Sequence, residues 1–480
     1  MSAFLLYSKQ SPPHPLLSHL NIPTGSTLSS DHPQIVIQWG IAQLSAQDPN
    51  IHVLNGEEGL HNVSNRKMML EILRWNGIQT IHEETSASKI STIRRYFIPV
   101  FQQQELALFR SQGKKVWLTN ELSSHSSDTY EEIEITRSIR EIRRILQLAV
   151  RSVYCLGLDF GGVLIGIGLN GTLNVIDVTP TPKLNQSLAE KFGKAFEQYV
   201  RRYKDPAPSP VVMGADPEFV LRNKSTGKMV LASRFFGRKG PVGCDQIWLR
   251  GDQTRQKLPL AELRPEPASE PRQLTLNLYR TMLLAEKKID NASIEWLAGG
   301  MPMKGYPIGG HIHFSQTKVN SHFLRALDSY LCLPLMIIEN QHSLGRRPKY
   351  GFLGDYRNQF HGGFEYRPLP SWLVSPRVTK GTLALAKLIA ESYPRLNLLP
   401  TYYSSIQEAF YKGNKRKILQ AVKANWVHLE KLDDYRTYKK YIEPLREMIF
   451  NQEEWNEFGD IRQAWKIRPF SAKRTISNMI

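Results

Sequence analysis

Cysteine is scarce in this chain: Cys155, Cys244 and Cys332 stand far apart among 480 residues. Three scattered thiols build neither a disulfide framework nor a Cys-based metal site, so the fold must rest on its cores. Long apolar runs are missing too. The longest, such as Leu331–Ile338, fall well short of the roughly 20 residues a membrane span needs. Met1–Gln10 holds only the run Phe4–Tyr7, with no basic segment before it, which does not fit a secretory signal. There is no internal repeat and no long low-complexity tract. A soluble, cytoplasmic protein without a membrane partner is expected.

Basic charge, by contrast, is plentiful. Lys and Arg number 62 against 44 Asp and Glu, a formal net charge of +18. Such a balance suits nucleic acid, an anionic surface or acidic substrates such as nucleotides. The basic residues are spread along the whole chain, and short clusters such as Lys415–Arg416–Lys417 read first as a solvated face. Charge alone does not choose. With 41% hydrophobic residues and 480 residues in all, there is material for two or three cores.

Residues 1–34 (SPPHP, then PTGSTLSSDHP) read as an irregular segment. From Ile35 onward short apolar runs alternate with amphipathic stretches: strands at Ile35–Trp39 and Tyr96–Phe101, helices at Arg66–Trp75 and Glu132–Val150. Two further strands, Gly157–Leu169 and Thr172–Val178, are joined by Asn170–Gly171, a hairpin dipeptide. Residues 35–204 thus form an α/β domain. The run DPAPSP at 205–210 forbids a helix and marks a linker.

A second domain follows at 211–395. Strands are expected at Val211–Arg222, Met229–Phe235, His311–Phe314 and Phe364–Tyr366, and helices at Pro271–Glu286, Leu324–Gln341 and Pro376–Ser392. Residues 396–480 read as a charged, Tyr-rich, mostly helical appendage.

Five motifs crowd into the second domain: GADPEF from Gly214, AELRP from Ala261, GGHIHF from Gly309, the basic run Arg346–Arg357, and GGFEYRP from Gly362. Asp216 and Glu218 are two apart, as are Glu262 and Arg264, His311 and His313, and Glu365 and Arg367. On a strand, a spacing of two puts both side chains on one face. Four such strands make one polar sheet face, with Leu263, Ile312 and Tyr366 pointing the other way. Carboxylates gathered there repel by roughly 4 kcal/mol per pair at 4 Å and an effective dielectric near 20. Protons or cations must neutralise them, and Mg²⁺ is the natural counter-ion where carboxylates face phosphates. Arginines among them can grip phosphate oxygens in pairs, and carboxylates plus arginines are what phosphoryl transfer requires. Taken singly, each motif has a plainer reading. Asp216–Pro217 could open a turn, the histidines could be satisfied core residues, and the Glu/Arg pairs could be cross-strand ion pairs.

In this order and with these gaps, GADPEF, AELRP, GGHIHF, Leu327–Asp328 and GFEYRPLPSW resemble the phage-type COOH–NH₂ ligase (type 2) family of amidoligases, from about Val212 to Ala390. That resemblance implies an α+β fold like that of glutamine synthetase, an antiparallel sheet whose one face carries the site. It implies that Glu218, Glu262 and Glu365 ligate Mg²⁺ with help from Asp216, and that His311 and His313 sit near metal or ATP phosphates. It also implies that Arg367 and one of Arg346, Arg347 and Arg357 hold phosphate, with Arg264 beside them. The reaction would be ATP-dependent amide formation through an acyl phosphate. Where the family commonly shows Gly–x–Asp–Gly, this chain has Gly243–Cys–Asp–Gln246, which points to a differently built loop.

The first domain resembles the ATP-grasp ligases in pieces: IVIQWG, VLNGEEGLHNVSNRKMMLEILRWNGIQT, YFIPVF and LGLDFGG…GTLNVIDVTPTP. The nucleotide-binding central part is missing between Thr80 and Tyr96. A metal motif of Glu–x–Asn type reads Asp177–Val–Thr179, and an expected aspartate is Leu164. Asp159 and Asp177 survive. The comparison implies a degenerate relative with a structural or substrate-guiding role.

A small-molecule or peptide carboxylate and an amine are the expected partners, with nucleic acid disfavoured and self-association left open. Two alternatives remain: a basic nucleic-acid-binding protein using Tyr402–Lys440, and a catalytically inactive ligase-like scaffold.

Overall fold

A computed structural model describes residues 3–28, 33–41, 51–81, 92–112, 130–204, 210–246, 258–360 and 362–470. Most of the expected linker lies outside these residues. Two compact units emerge: Met1–Pro206 with Tyr402–Gln407, and Ala207–Thr401 with Glu408–Ile480.

The first unit holds a four-stranded parallel sheet, in the order β2 (Thr24–Gly25), β1 (Ala3–Tyr7), β3 (Ile35–Trp39), β4 (His52–Leu54). The irregular reading of residues 1–34 is therefore corrected. Phe4, Leu5 and Leu6 are buried, and β1 sits inside the sheet beside β3. An apolar run too short for a targeting signal is long enough for a buried strand.

A second, antiparallel sheet runs β10 (Leu173–Thr179), β9 (Phe160–Gly168), β5 (Thr92–Phe101), β7 (Phe109–Ser111), β8 (Tyr130–Glu132), with β6 (Gln104–Glu105) on β5. Gly171 adopts φ +72° in the β9–β10 turn, as the Asn–Gly dipeptide requires. The helix expected from Glu132 instead spans Arg140–Cys155. Glu132 belongs to β8, and Ile133 and Ile135 pack on the core from an extended segment, which imitates helical spacing. The helix Arg66–Trp75 is capped by Asn65, whose side chain accepts from the Met68 amide.

The second unit is built on an eight-stranded antiparallel sheet. Its central order is β13 (Val242–Asp245), β14 (Leu260–Leu263), β11 (Val212–Asn223), β16 (Gly310–Ser315), β18 (Phe364–Tyr366), β17 (Tyr356–Asn358). Two more strands, β12 (Met229–Val230) and β15 (Ile294–Leu297), pair with the far end of β11. Only Met229–Val230 of the expected strand at 229–235 is extended. Ala232–Arg234 turn as a 3₁₀ helix. Asp216–Pro217 do not open a turn either. Pro217 ends the pairing of β11 with β16, where its missing N–H costs nothing.

One sheet face is closed by aromatic packing: Phe219 stacks on Trp296 at 4.9 Å, and Phe314, Phe323 and Phe364 meet at 5.3 Å. The helix Pro376–Ser392 is buried nearly all round and opens at Ser375, whose hydroxyl accepts from the Val378 amide. The helical run begun at Ser321 passes through a π turn at Asp328–Cys332 and ends at Ile338, short of the expected Gln341.

The C-terminal stretch is not an appendage. Arg462 donates to the Ile294 carbonyl at 2.6 Å and lies over the Trp296 ring, while the Trp465 indole donates to Leu373 O at 2.8 Å. Buried Arg and Trp anchors are long enough to reach across elements, which charge composition alone does not reveal. Among the described residues, no helix is long and apolar enough to cross a membrane.

Candidate active site

Strand register assembles the site. Across β11 and β14, Glu218 stands opposite Glu262; across β11 and β16, Asp216 stands opposite His311. His313 faces Glu365 on β18, and Glu365 faces Arg357 on β17. Period-two alternation then delivers all of these side chains to one face. Arg264 and Arg367 follow directly after β14 and β18.

Asp216 sits between two imidazoles. His311 Nδ1 lies 3.1 Å from its Oδ1, and His313 Nε2 lies 3.1 Å from its Oδ2. His311 Nδ1 is also 3.3 Å from Glu365 Oε1. Glu365 has no exposed surface and collects cations: Arg367 Nε at 3.0 Å on Oε1, Arg357 Nε at 2.7 Å on Oε2, with the Gln359 amide donating to Oε2 at 2.8 Å. Glu218 accepts the Gly309 N–H at 2.6 Å through Oε2. Glu262 pairs with Arg264, whose other nitrogen donates to Arg238 O at 2.9 Å.

These contacts divide the proton affinities. Burial pushes the Asp216 carboxyl up, but the charge of His311 and contacts from both histidines outweigh it and hold it well below the usual range. Burial lowers His311, while Asp216 and the neighbouring glutamates lift it to about 9. Glu262 is pushed up to about 7, first by burial and then by the Asp216 charge, against the pull of Arg264. Burial also raises Glu218. One face therefore holds a firmly ionised aspartate beside glutamates reluctant to ionise, a division that only added positive charge would remove.

That division is a test for a metal. Among the described residues, Asp216, His313 and Glu365 each bring a ligand atom to within 4.8 Å of the others. Asp216 Oδ1, His313 Nε2 and Glu365 Oε1 are buried without a hydrogen bond of good geometry. Buried polar atoms left so are costly, and oxygen with imidazole donors suits a hard or borderline divalent cation. The residues present fit a metal.

Of the eleven sequence candidates, the sheet face gathers Asp216, Glu218, Glu262, His311, His313, Arg357, Glu365 and Arg367, with Arg264 on Glu262. Arg346 is buried and donates to Leu369 O at 3.1 Å, leaving Nε and Nη1 without a hydrogen bond. Burial and then Arg347 lower it to about 10, with Glu218 close enough to act in the opposite sense. Arg347 does not join the group: it contacts Glu339 at 2.6 Å and lies 4.1 Å from the Phe410 ring. Sequence reading missed Gln359 and the Gly309 amide, since a lone glutamine and a backbone N–H carry no signature. Gly243, Cys244 and Asp245 lie in the edge strand β13, and Gly243 lies against Arg264.

In the first unit the surviving aspartates are engaged elsewhere. Asp159 Oδ2 accepts the Asn55 amide at 3.0 Å in a buried clamp, and Asp177 is 3.6 Å from Arg66.

Residues 213–467 match the family described as phage phiEco32-like COOH.NH2 ligase-type 2. No curated protein matches the chain in sequence. Among solved structures, D-alanine–D-alanine ligase from Bacillus anthracis, complexed with ATP, is similar at 10% identity and a TM-score of 0.28, covering 42% of this chain and 97% of that one. A bifunctional glutathione synthetase from Pasteurella multocida has 8% identity and a TM-score of 0.32, over 53% of this chain and 52% of that one. The macrocyclase MdnC from Microcystis aeruginosa MRC, bound with precursor peptide MdnA, has 7% identity and a TM-score of 0.29, over 41% and 100%.

Proposed function

Because the chain belongs to the phage phiEco32-like COOH.NH2 ligase-type 2 family, we propose that its second unit joins a carboxylate to an amine by way of ATP and an acyl phosphate. A carboxylate oxygen attacks the γ-phosphorus and the bond to ADP breaks. The amine nitrogen then attacks the acyl carbon, phosphate leaves with the former carboxylate oxygen, and the nitrogen loses a proton. The antiparallel sheet with its polar face supports the glutamine-synthetase-like reading of the fold.

The observation that carries this reading is the group Asp216, His313 and Glu365, with buried ligand atoms that lack a hydrogen bond of good geometry, beside two arginines. These three would hold Mg²⁺, with Glu218 and Glu262 alongside; once bound, the ion would neutralise phosphate oxygens and fix their orientation.

The protein's own groups do the rest. Arg357 and Arg367 rest on Glu365 and are free to trade that carboxylate for phosphate oxygens once a second cation shares it. His311, protonated at neutral pH by its position beside Asp216, adds a positive charge where the transferring phosphoryl builds negative charge. Arg346 offers two unbonded guanidinium nitrogens, and Arg264 a third cation near Glu262. Positioning and fixed charge of this kind account for most of the rate in phosphoryl transfer. The acid and amine are small molecules or peptides, the setting cytoplasmic, and the first unit guides or supports rather than catalyses.

The test is Mg²⁺-dependent thermal stabilisation by ATP and release of ADP on mixing with pooled amino acids and short peptides. Wild type should respond, and Glu365→Gln should lose turnover. If Mg-ATP stabilises neither protein, the ligase reading fails.

A further inference from the structure

On the helical side of the second unit lies a cleft of about 620 Å³, apart from the carboxylate face. It opens between the helices Pro271–Lys288, Pro376–Ser392 and Tyr435–Phe450 and the short helix Ile461–Trp465. That volume falls in the range of small-molecule sites, about 300–1,000 Å³.

Its lining is one-sided in charge. Arg272, Arg377, Lys380 and Lys466 border it, and no carboxylate is among its lining residues. The nearest acids sit at the margins. Glu447 and Glu453 pair with Arg377 at 3.7 and 3.3 Å, and Glu270 lies in an adjoining recess. Burial lowers the Lys380 ammonium, and the charge of Arg272 nearby acts in the same direction. The helices Pro271–Lys288 and Pro376–Ser392 also begin here, each with Pro in its first turn and no acidic residue within that turn.

The walls between the cations are aromatic. Tyr279 stacks on Trp465, with ring centroids 6.3 Å apart, and Tyr441 faces in from another helix. A simple polyanion needs no such walls, and an apolar ligand needs no such charge. We propose that this cleft binds a nucleoside phosphate, its flat base against Tyr279, Trp465 and Tyr441 and its phosphates held by Arg272, Lys380 and Lys466. The inference does not rest on the ligase reading, because none of these residues belongs to the carboxylate face.

The experiment is calorimetric titration of the full chain with ADP, adenosine and pyrophosphate, all in EDTA so that metal-dependent binding is absent. ADP should bind wild type in the micromolar range and at least tenfold tighter than either fragment. The exposed charge reversals Arg272→Glu and Lys466→Glu should together weaken ADP at least tenfold. Glu365→Gln should leave it unchanged. Tyr279→Leu, which keeps the site filled, should weaken ADP but not pyrophosphate. The proposal is overturned by the absence of ADP binding below millimolar, by pyrophosphate binding as tightly as ADP, or by binding that survives the charge reversals and disappears in Glu365→Gln. Matching circular dichroism and melting temperatures keep the charge-reversed protein a valid comparison.

Discussion

His311 and Asp216 face each other across β16 and β11, Nδ1 to Oδ1 at 3.1 Å, and each fixes the charge of the other. His311 binds its proton up to about pH 9 in the folded chain and up to roughly 6.5 when unfolded. The stability it contributes is fully present below about pH 6.5 and is lost as pH rises through 9. Asp216 works oppositely: its depressed folded value contributes above about pH 4 and is lost as pH falls toward that lower value.

In EDTA, the free energy of unfolding should therefore fall between pH 7 and 10, by an amount on the order of 3 kcal/mol. His311→Gln should be less stable at pH 7 and nearly flat over that interval. Denaturant titrations at several pH values read this directly, and an equal slope in both proteins would sink the pairing.

Gly243 tests the opposite edge of the site. A Cβ there would overlap the Arg264 guanidinium, the far end of a flexible side chain, and φ is not in the left-handed region. Gly243→Ala should thus push Arg264 off Glu262 without unfolding the sheet. We expect a melting temperature within a few degrees of wild type and a loss of ligase turnover of about tenfold or more. Unchanged turnover would show that Arg264 does not matter there.

Glu457 shows what charge and spacing conceal. This fully buried carboxylate accepts the Gly300 and Met301 amides at 2.9 and 3.1 Å, the Ser343 hydroxyl at 2.6 Å and the Trp455 indole at 3.1 Å. Glu457→Ala would strand four donors, costing roughly 2–4 kcal/mol. A melting temperature within two degrees of wild type would contradict the clamp.

The site was legible because it lies on strands. A spacing of two converts directly into a shared face, so GADPEF, AELRP, GGHIHF and GFEYRP assemble into one face from the sequence alone. Glu457 and Arg462 were not legible, since partners more than a hundred residues away have no local pattern. The strand Ala3–Tyr7 was missed because prolines and serines after it dominate the local composition. The start of the helix at Arg140 was misplaced because Ile133 and Ile135 reach the same core from extended chain. Arg347, adjacent to Arg346 in sequence, turns instead to Glu339 and Phe410, a choice made by packing alone.

Tyr366 separates the two sides of the sheet. Next to Glu365 on β18, it points the other way and donates to buried Asp328 Oδ1 at 2.7 Å. Tyr366→Phe should cost about 1–3 kcal/mol of stability while leaving KM for ATP unchanged. A change in KM without a change in stability would reverse this assignment of faces.

The sharpest question is which carboxylates would hold a metal. Family resemblance points to Glu218, Glu262 and Glu365, whereas geometry groups Asp216, His313 and Glu365. Glu262 is already neutralised by Arg264 and pushed up to about 7, so an ion must compete there with both a guanidinium and a proton. Asp216 is ionised throughout and His313 Nε2 lacks a good hydrogen bond, so an ion at their side displaces less. His313→Ala should thus weaken Mn²⁺ or Mg²⁺ binding at least tenfold, and Glu262→Gln by a few-fold at most. The presence of an imidazole should also make Mn²⁺ bind more tightly than Mg²⁺. Calorimetry of each variant decides it: a larger loss in Glu262→Gln than in His313→Ala would move the ion to the Glu218–Glu262 side of the sheet.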